Sequence, residues 1–335
     1  MKALIEKLTT IPGPSGYEAN IRSAIHQEIE PVSRENGWQT QVDALGNLIV
    51  STPAIKSKGS KIMLVAHMDE IGLIVTHVDD DGFARFTTIG SVRPLDCVGG
   101  HVRFLNGTAG VIGQEHIPQP HTPPSLEQMY IDTGSSSKKD CPVKVGDVAA
   151  FDRPVIDLGK RMVSKAMDDR VGVAVIIETM RKIKSPANQI YFVFSTQEEV
   201  GLRGATTAAF GIEPDIGLAV DVTRTGDTPK GIKMEVSLGK GPAIKVRDSG
   251  MLADPRLVEL LVRTSVKFKI PHQMEVLEAG STDARAIQLT RAGVPAGCLS
   301  IPCRYIHSPS EMIDLDDVDH AVNLLSALLN EPVML

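Results

Sequence analysis

The sequence predicts an α/β fold in which helices flank a central mixed, largely parallel sheet, with a β-barrel-like domain inserted into the chain. Four short apolar runs rich in Val, Ile and Leu are typical of strands buried on both faces. Helical periodicity is clear from Asp254 to Lys267 and from Asp317 to Leu329. Between Ile71 and Val163, short β-like runs alternate with turn signals. We therefore expect an α/β domain formed by residues 1–70 and 164–335, interrupted by a β-rich domain at 71–163.

Composition limits the classes of protein to consider. The 335 residues are 42% hydrophobic but only 4% aromatic, so two domains with mainly aliphatic cores are feasible. A net charge of -6 without a block of Lys or Arg argues against a nucleic-acid partner. The first eight residues resemble an amphipathic helix, not a secretory signal, and no apolar run approaches the ~18 residues of a membrane-spanning helix. We expect a cytoplasmic protein with small partners and no membrane association.

Side chains able to bind a metal follow each of the four apolar runs. In an open α/β sheet, ligands bind outside the carboxyl ends of the strands, so side chains that are distant in sequence can meet there. We therefore expect the side chains at these strand ends to converge. They are His67 and Asp69, Glu198 and Glu199, Asp221, and His307.

Two pairs of adjacent carboxylates are especially informative: the Glu pair just named, and a pair of Asp residues before a predicted helix. Glu198 and Glu199 stand where an apolar run gives way to a Gly-containing turn, so that one can bind a cation while the other transfers a proton. This arrangement suggests a metallohydrolase, although Glu-Glu pairs also occur on solvated helix faces. Asp168 and Asp169 precede a stretch with helical spacing, where an Asp can cap the helix, bind metal, or share these roles with its neighbour.

At these positions the chain resembles the M42 family of metallo-aminopeptidases, which includes glutamyl aminopeptidase and the tetrahedral TET peptidases. The resemblance covers essentially the whole chain, and five motifs in this order make it specific. They are Ala66-His67-Met68-Asp69-Glu70, Met167-Asp168-Asp169-Arg170-Val171-Gly172, Glu198-Glu199-Val200-Gly201, Val220-Asp221 and Tyr305-Ile306-His307-Ser308.

The resemblance implies a centre of two divalent metal ions bridged by Asp168. His67 and Asp221 would complete the protein ligands of one ion, and Glu199 and His307 those of the other. Imidazole and carboxylate without thiolate suit Zn²⁺ or Co²⁺, with Mn²⁺ as a third candidate. The ligand set alone does not select among these metals.

The resemblance also assigns roles to the two remaining acidic residues. Glu198 would be the general base that takes a proton from metal-activated water as the water attacks a peptide carbonyl. Asp69 would accept a hydrogen bond from His67 and fix the tautomer of its ring. Together these residues would remove the N-terminal residue from peptides that carry a free N-terminus.

Self-association is the third implication of the resemblance. The insert at residues 71–163 supplies no predicted metal ligand, and in this family such inserts mediate contacts between subunits. We expect at least a dimer formed through the insert, and a tetrahedral dodecamer whose active sites face an internal chamber.

Other functions compete with an aminopeptidase. The same ligand geometry serves co-catalytic metal carboxypeptidases and amide deacylases. A catalytically silent scaffold or binding protein would keep the fold but lose a ligand or the base, whereas all six residues are present here. Glycoside hydrolases also use paired carboxylates, but they need no metal.

One further stretch resembles the surroundings of the active site in the family. Asp283 follows Thr282 in a segment where Ser281 and Arg285 replace glycines that the family pattern leads us to expect. Those substitutions would narrow or charge the substrate pocket. Alternatively, Thr282 and Asp283 simply cap the helix that follows. The preferred N-terminal residue of the substrate stays open.

Overall fold

The computed structural model describes residues 1–53, 59–116, 124–183 and 186–335. Two short 3-10 helices, Pro94–Asp96 and Leu126–Gln128, accompany the α-helices in this part of the chain. The α-helices are α1 Lys2–Thr10, α2 Ala19–Asn36, α3 Met167–Lys182, α4 Arg203–Ile212, α5 Pro255–Phe268, α6 Asp283–Gln288 and α7 Leu315–Leu329. The strands are β1 Gln39–Val42, β2 Leu48–Ser51, β3 Lys61–His67, β4 Gly72–Val78, β5 Ala84–Ile89, β6 His101–Phe104, β7 Ala109–Gln114, β8 Met129–Asp132, β9 Val148–Phe151, β10 Ile156–Asp157, β11 Arg161–Ser164, β12 Gln189–Ser195, β13 Ile216–Thr223, β14 Ala243–Arg247, β15 Gln273–Val276, β16 Ala296–Arg304 and β17 Glu311–Asp314.

The larger sheet has eleven strands, and nine of them follow the order β1-β2-β12-β3-β13-β16-β17-β11-β10. Its centre is parallel, because β12, β3, β13 and β16 all run in the same direction. The remaining strands are β14, which is antiparallel to β16, and β15, which is parallel to β14. The carboxyl ends of four neighbouring parallel strands therefore meet at one edge.

Helices cover both faces of this sheet, which explains why its central strands are continuous apolar runs. On one face, Leu64, Phe192 and Leu218 are buried against α1, α2, α3, α5 and α7. On the other face, Met63 and Val193 pack against α4 and α6. Burial on two sides fixes the positions of the strand ends, and hence of the side chains that follow them.

The second unit is a closed antiparallel barrel with the strand order β4-β5-β8-β7-β6-β9. Its core contains Leu73, Phe86, Phe104, Ile131 and Phe151. Closure pairs every strand on both sides, so the barrel exposes no sheet edge. After the barrel, β10 and β11 pair with the larger sheet.

The predicted fold class is confirmed, since helices flank a mixed, largely parallel sheet that is joined to a barrel. The division into residues 1–70 with 164–335 and residues 71–163 stays a prediction. Within the ranges the structure describes, no helix is both long enough and apolar enough to cross a bilayer.

Candidate metal centre

A cavity of about 320 Å³ opens at the carboxyl edge of the four parallel strands. The end of β3 delivers His67, the segment after β12 delivers the Glu pair, and β13 delivers Asp221. Asp168 comes from the start of α3, where its backbone is not helical, and His307 follows β16. The predicted site residues in the cavity wall are His67, Asp168, Glu198, Glu199, Asp221 and His307.

Five of these residues form two groups that could each hold a cation, and Asp168 belongs to both. Within each group, one nitrogen or oxygen atom per residue lies within 4.8 Å of the others. Nε2 of His67 is 3.0 Å from Oδ1 of Asp168 and 4.0 Å from Oδ1 of Asp221. Nε2 of His307 is 3.3 Å from Oδ2 of Asp168 and 3.4 Å from Oε2 of Glu199. The two oxygens of Asp168 thus face different groups.

The charges of the cluster suit divalent cations. Burial raises the pKa of Glu199 to about 7, and repulsion from Asp168 acts in the same direction. Burial also raises the pKa of Asp221, although His67 partly opposes the shift. Oε1 of Glu199 is buried without a hydrogen-bond partner in the described part of the chain. These carboxylates repel one another when all are ionised, and one of their oxygens has no hydrogen-bond partner. Two bound cations would remove both costs, so the carboxylates are a suitable donor set for metal ions.

The carboxylates of the cluster favour the protonated forms of both imidazoles. Burial opposes protonation of His307, but Asp168 and Glu199 outweigh it and raise its pKa to about 9. Burial likewise opposes protonation of His67, and the Asp168 and Asp69 carboxylates outweigh it, so its pKa is also raised. A metal ion between these groups would replace the imidazole protons.

Asp69 connects the ends of two neighbouring strands. Its Oδ1 accepts a hydrogen bond from the backbone N–H of Glu198 at 3.0 Å, and its Oδ2 accepts one from that of Glu199 at 3.2 Å. The Ser15 hydroxyl donates to Oδ2 at 2.6 Å. Nδ1 of His67 is 3.4 Å from Oδ1 without hydrogen-bond geometry, so the bond expected between these residues stays a prediction. Asp69 therefore positions the Glu pair relative to His67.

Glu198 lines the cavity but belongs to neither donor group. The residue is half-buried, yet loss of hydration around its carboxyl group raises its pKa well above the usual range. Asp221, Asp283 and Glu199 add repulsion, against the opposing effect of His67. A carboxylate beside the donor groups, free of a ligand position, is available to exchange protons.

Glu311 and Asp169 support the site, and sequence reasoning assigned a role only to the second. Oε2 of Glu311 accepts the N–H of Asp168 at 3.0 Å, and Oε1 accepts that of His307 at 2.8 Å. Asp169 accepts a hydrogen bond from the backbone N–H of Gly172 at 3.0 Å and so caps the regular part of α3. Its neighbour Asp168 belongs to the two donor groups. The only sequence feature that pointed to Glu311 is its position four residues after His307, and this spacing is not part of a known motif.

The barrel also reaches the cavity through the loop after β5, because Ser91 lines the wall. A Cβ atom at neighbouring Gly90 would lie 3.2 Å from the side chain of Glu199. A larger residue at this position would therefore press on one of the donor groups. No motif in the sequence pointed to this contact.

The segment around Asp283 lies beside the site. Ser281, Thr282 and Arg285 line the cavity. Asp283 is buried and accepts a hydrogen bond from the Ser195 hydroxyl at the end of β12. Burial raises the pKa of Asp283 to about 6, although the bond from Ser195 opposes the shift. Thr282 precedes α6, but its side chain makes no capping hydrogen bond to this helix. The segment therefore contributes to the cavity wall without a side-chain cap from Thr282.

Comparisons with known proteins agree with this geometry. The model of the M42 glutamyl aminopeptidase family matches residues 46–324. A putative aminopeptidase of Acetivibrio thermocellus is 47% identical over 324 residues, which cover 96% of each chain. The structure of aminopeptidase APDkam598 from the archaeon Desulfurococcus kamchatkensis has a TM-score of 0.93 and 41% identity, covering 98% of this chain and 94% of that one. The TET1 peptidase of Pyrococcus horikoshii, which can assemble into a tetrahedron or a large octahedral shell, has a TM-score of 0.88 and 33% identity, covering 98% of this chain and 99% of that one.

A parallel sheet with carboxylates and imidazoles at its carboxyl edge, joined to a closed barrel, is here the architecture of a peptidase hydrolase. The chain belongs to the M42 peptidase family. Peptidases of this family are metal-dependent, and the donor groups around Asp168 fit that dependence. The resemblance inferred from the sequence motifs is therefore confirmed.

Proposed function

We propose that this chain is a two-metal aminopeptidase that removes the N-terminal residue from peptides. Asp168 would bridge the ions, His67 and Asp221 would complete one site, and Glu199 and His307 the other. The observation that carries the proposal is the membership of Asp168 in both donor groups, with a different oxygen facing each histidine. When bound, the ions supply Lewis-acid activation of water and of the peptide carbonyl.

Glu198 acts as the general base in this proposal. Its carboxylate takes the proton of the attacking water and returns a proton to the leaving amine, which is the double role expected of one carboxyl group beside the scissile bond. Its backbone N–H is fixed by Asp69 at 3.0 Å, which supports a constant position of the side chain in the cavity wall. Asp69 thereby positions the base and, next to it, the Glu199 ligand.

Zn²⁺ or Co²⁺ is the proposed metal, with Mn²⁺ as the next candidate. The support is the chemistry of the donor set, which combines two imidazoles with three carboxylates and no thiolate. The four cysteines of the chain lie outside both donor groups.

Self-association belongs to the same proposal. We infer at least a dimer formed through residues 71–163, and assembly into a tetrahedral dodecamer. The support is the similarity to TET1, which can assemble into a tetrahedron. Peptide substrates with free N-termini would then reach active sites that face an enclosed chamber.

The experiment that tests the chemistry starts from protein stripped with a chelator and checked by elemental analysis. Samples reloaded with Zn²⁺, Co²⁺ or Mn²⁺ are assayed on aminoacyl p-nitroanilides, on the same compounds N-acetylated, and on peptides that report C-terminal cleavage. We expect hydrolysis of the free-amine substrates only after reloading. Full activity in metal-free protein would contradict the two-metal mechanism, and preference for the acetylated or C-terminal substrates would favour a deacylase or a carboxypeptidase.

A further inference from the structure

A second groove lies beside the metal centre, between α4 and α6. Its volume is about 650 Å³, which is within the range of ligand pockets. The groove and the cavity of the metal centre share Gly201, Leu202 and Arg285 in their walls. Gly201 and Leu202 belong to the turn that leads from the Glu pair into α4. The two cavities therefore adjoin at this turn, next to the proposed general base.

Exposed apolar side chains form much of the groove wall. The exposed fractions of Phe210 and Leu289 are 58% and 68%. Phe210 stands near the end of α4, and Leu289 directly follows α6. Exposure of two large apolar side chains in one groove costs free energy, because apolar surface is more stable when it is removed from water. They would favour an apolar ligand between the two helices.

The Phe210 segment is held in place although its ring is exposed. The guanidinium carbon of Arg291 is 3.9 Å from the centre of the ring. Nη2 and Nε of Arg291 also donate to the Phe210 carbonyl at 2.7 and 3.0 Å, and Arg291 forms an ion pair with Glu213 at 2.8 Å. An aromatic ring that is already fixed loses little conformational entropy when a ligand packs on it. The segment is thus preorganised for contact.

Arg285 supplies a polar group where the groove meets the metal cavity. The residue is exposed, and its guanidinium makes no ion pair or hydrogen bond with any of the residues that the structure describes. Its N–H groups are suited to carbonyl and carboxylate oxygens. A peptide main chain that leaves the metal centre through the groove would pass these donors.

We infer that this groove binds the residues that follow the scissile bond of the peptide, with apolar side chains against Phe210 and Leu289 and main-chain or terminal oxygens at Arg285. The inference rests on the proposed aminopeptidase function, since an enzyme that removes one residue must direct the rest of the peptide away from the metals. The wall that the two cavities share, and the Arg285 guanidinium exposed at their junction, favour this occupant. The residues after the first then contribute to substrate choice.

The test compares peptides with substrates that have no further residues. Let X be the first residue that the wild type cleaves fastest as a p-nitroanilide. The substrates are X-amide, X-Leu-Phe-Ala and X-Gly-Gly-Gly, assayed on metal-loaded protein. The quantity measured is the kcat/KM for X-Leu-Phe-Ala divided by the kcat/KM for X-amide. We expect Phe210→Ala and Leu289→Ala each to lower this ratio by about three- to tenfold, mainly through a higher KM for the peptide. The corresponding ratio for X-Gly-Gly-Gly should fall less, and Phe210→Leu should restore part of the loss.

Phe268→Ala is the matched control. Phe268 is also exposed, at 45%, with Lys267 5.1 Å from its ring centre, but it lies on α5 away from the groove wall. The ratio in Phe268→Ala should equal that of the wild type. Equal ratios in the Phe210, Leu289 and Phe268 variants would overturn the inference.

Two further outcomes would also count against the groove as a substrate site. If Phe210→Ala changes the mass of the particle in mass photometry while the ratio stays constant, a second copy of the chain occupies the groove and the inference is wrong. If the wild type hydrolyses neither X-amide nor the peptides, the proposed function fails and the inference fails with it. A wild type that hydrolyses all three, with unaltered ratios in the variants, removes the groove alone.

Discussion

At the scale of single residues, Glu198 and Glu199 are adjacent in sequence but differ in their surroundings. Glu199 belongs to a donor group with Asp168 and His307, whereas Glu198 lines the cavity outside both groups. We expect Glu198→Gln to keep its metal and to lose about 10²–10⁴ in kcat, the usual contribution of general acid–base catalysis. Glu199→Gln should lower the metal content measured by elemental analysis. Interchanged phenotypes would show that the base and the ligand are assigned the wrong way round.

A half-buried ion pair between Asp227 and Arg304, outside the site, makes the stability of the fold depend on pH. Burial opposes ionisation of Asp227, but Arg304, whose Nη2 is 2.7 Å away, outweighs it and lowers the pKa of Asp227 to about 2. A lowered carboxyl pKa stabilises the fold above the unfolded value near 3.8, and this stability is lost as the pH falls toward the folded value. We expect Asp227→Asn to cost at most about 1 kcal/mol near neutral pH, because both side chains are partly exposed and solvent screens the pair.

Denaturant unfolding of the wild type and of Asp227→Asn between pH 2 and pH 6 measures this contribution. The difference in free energy of unfolding should shrink as the pH falls through the interval from about 4 to about 2. A constant difference over the whole range would mean that Asp227 acts through packing and not through its charge.

The sequence pattern predicted residues that line the cavity, and it predicted Asp69 as a positioning residue, but it did not predict Glu311. His67, Asp221 and the Glu pair follow apolar strands, and this local pattern is readable without a structure. Glu311 could not be found in this way, because its role comes from the antiparallel pairing of β17 with β11, which brings it to the backbone of Asp168. Such a contact joins residues that are far apart in sequence and have no common pattern.

At the scale of elements, the helical periodicity of residues 254–267 and 317–329 predicted α5 and α7 within two residues at each end. The periodicity of residues 254–267 corresponds to α5, Pro255–Phe268, whose start combines Asp254 as a cap with Pro255 in the first position. The strand pairing that closes the barrel could not be read from the sequence, because it joins β4 to β9 across the whole insert. Turn signals predict strands, but they do not fix which strands pair.

Asp254 is the N-cap residue of α5. The Asp254 side chain accepts a hydrogen bond from the N–H of Arg256 at 2.9 Å. Asp254→Ala should lower the free energy of unfolding by about 1 kcal/mol, because a free N–H at the helix start loses its partner. Asp254→Asn keeps an acceptor and should cost less, and this variant is the control. Equal losses in denaturant unfolding would assign the effect to the Asp254–Arg256 ion pair instead.

At the scale of the whole molecule, the barrel and the sheet have separate cores but share the site. Ser91 from the barrel side lines the same cavity as the donor groups. In the proposed assembly, subunit contacts through the barrel would therefore also act on the wall of the cavity. The sequence predicted the β-rich insert, but not its contact with the cavity.

Assembly gives the prediction at this scale. We expect mass photometry of the purified protein to show at least a dimer, with a dodecamer as the closed form. The particle should exclude folded proteins while it degrades unfolded peptides, which can be followed by the products of each digestion. A monomer with full activity at assay dilution would remove the enclosed chamber from the proposal and leave the metal chemistry unaffected.

The order of the proposed ligands along the chain has a consequence for biosynthesis. The group of His67, Asp168 and Asp221 can form once β13 has been made, whereas the group containing His307 must wait for β16, the last of the parallel strands. A nascent chain that has not yet reached His307 therefore has one complete donor group and lacks a ligand of the other. In the two-metal proposal, peptide hydrolysis would therefore begin only after β16 and His307 have been synthesised and have joined the sheet.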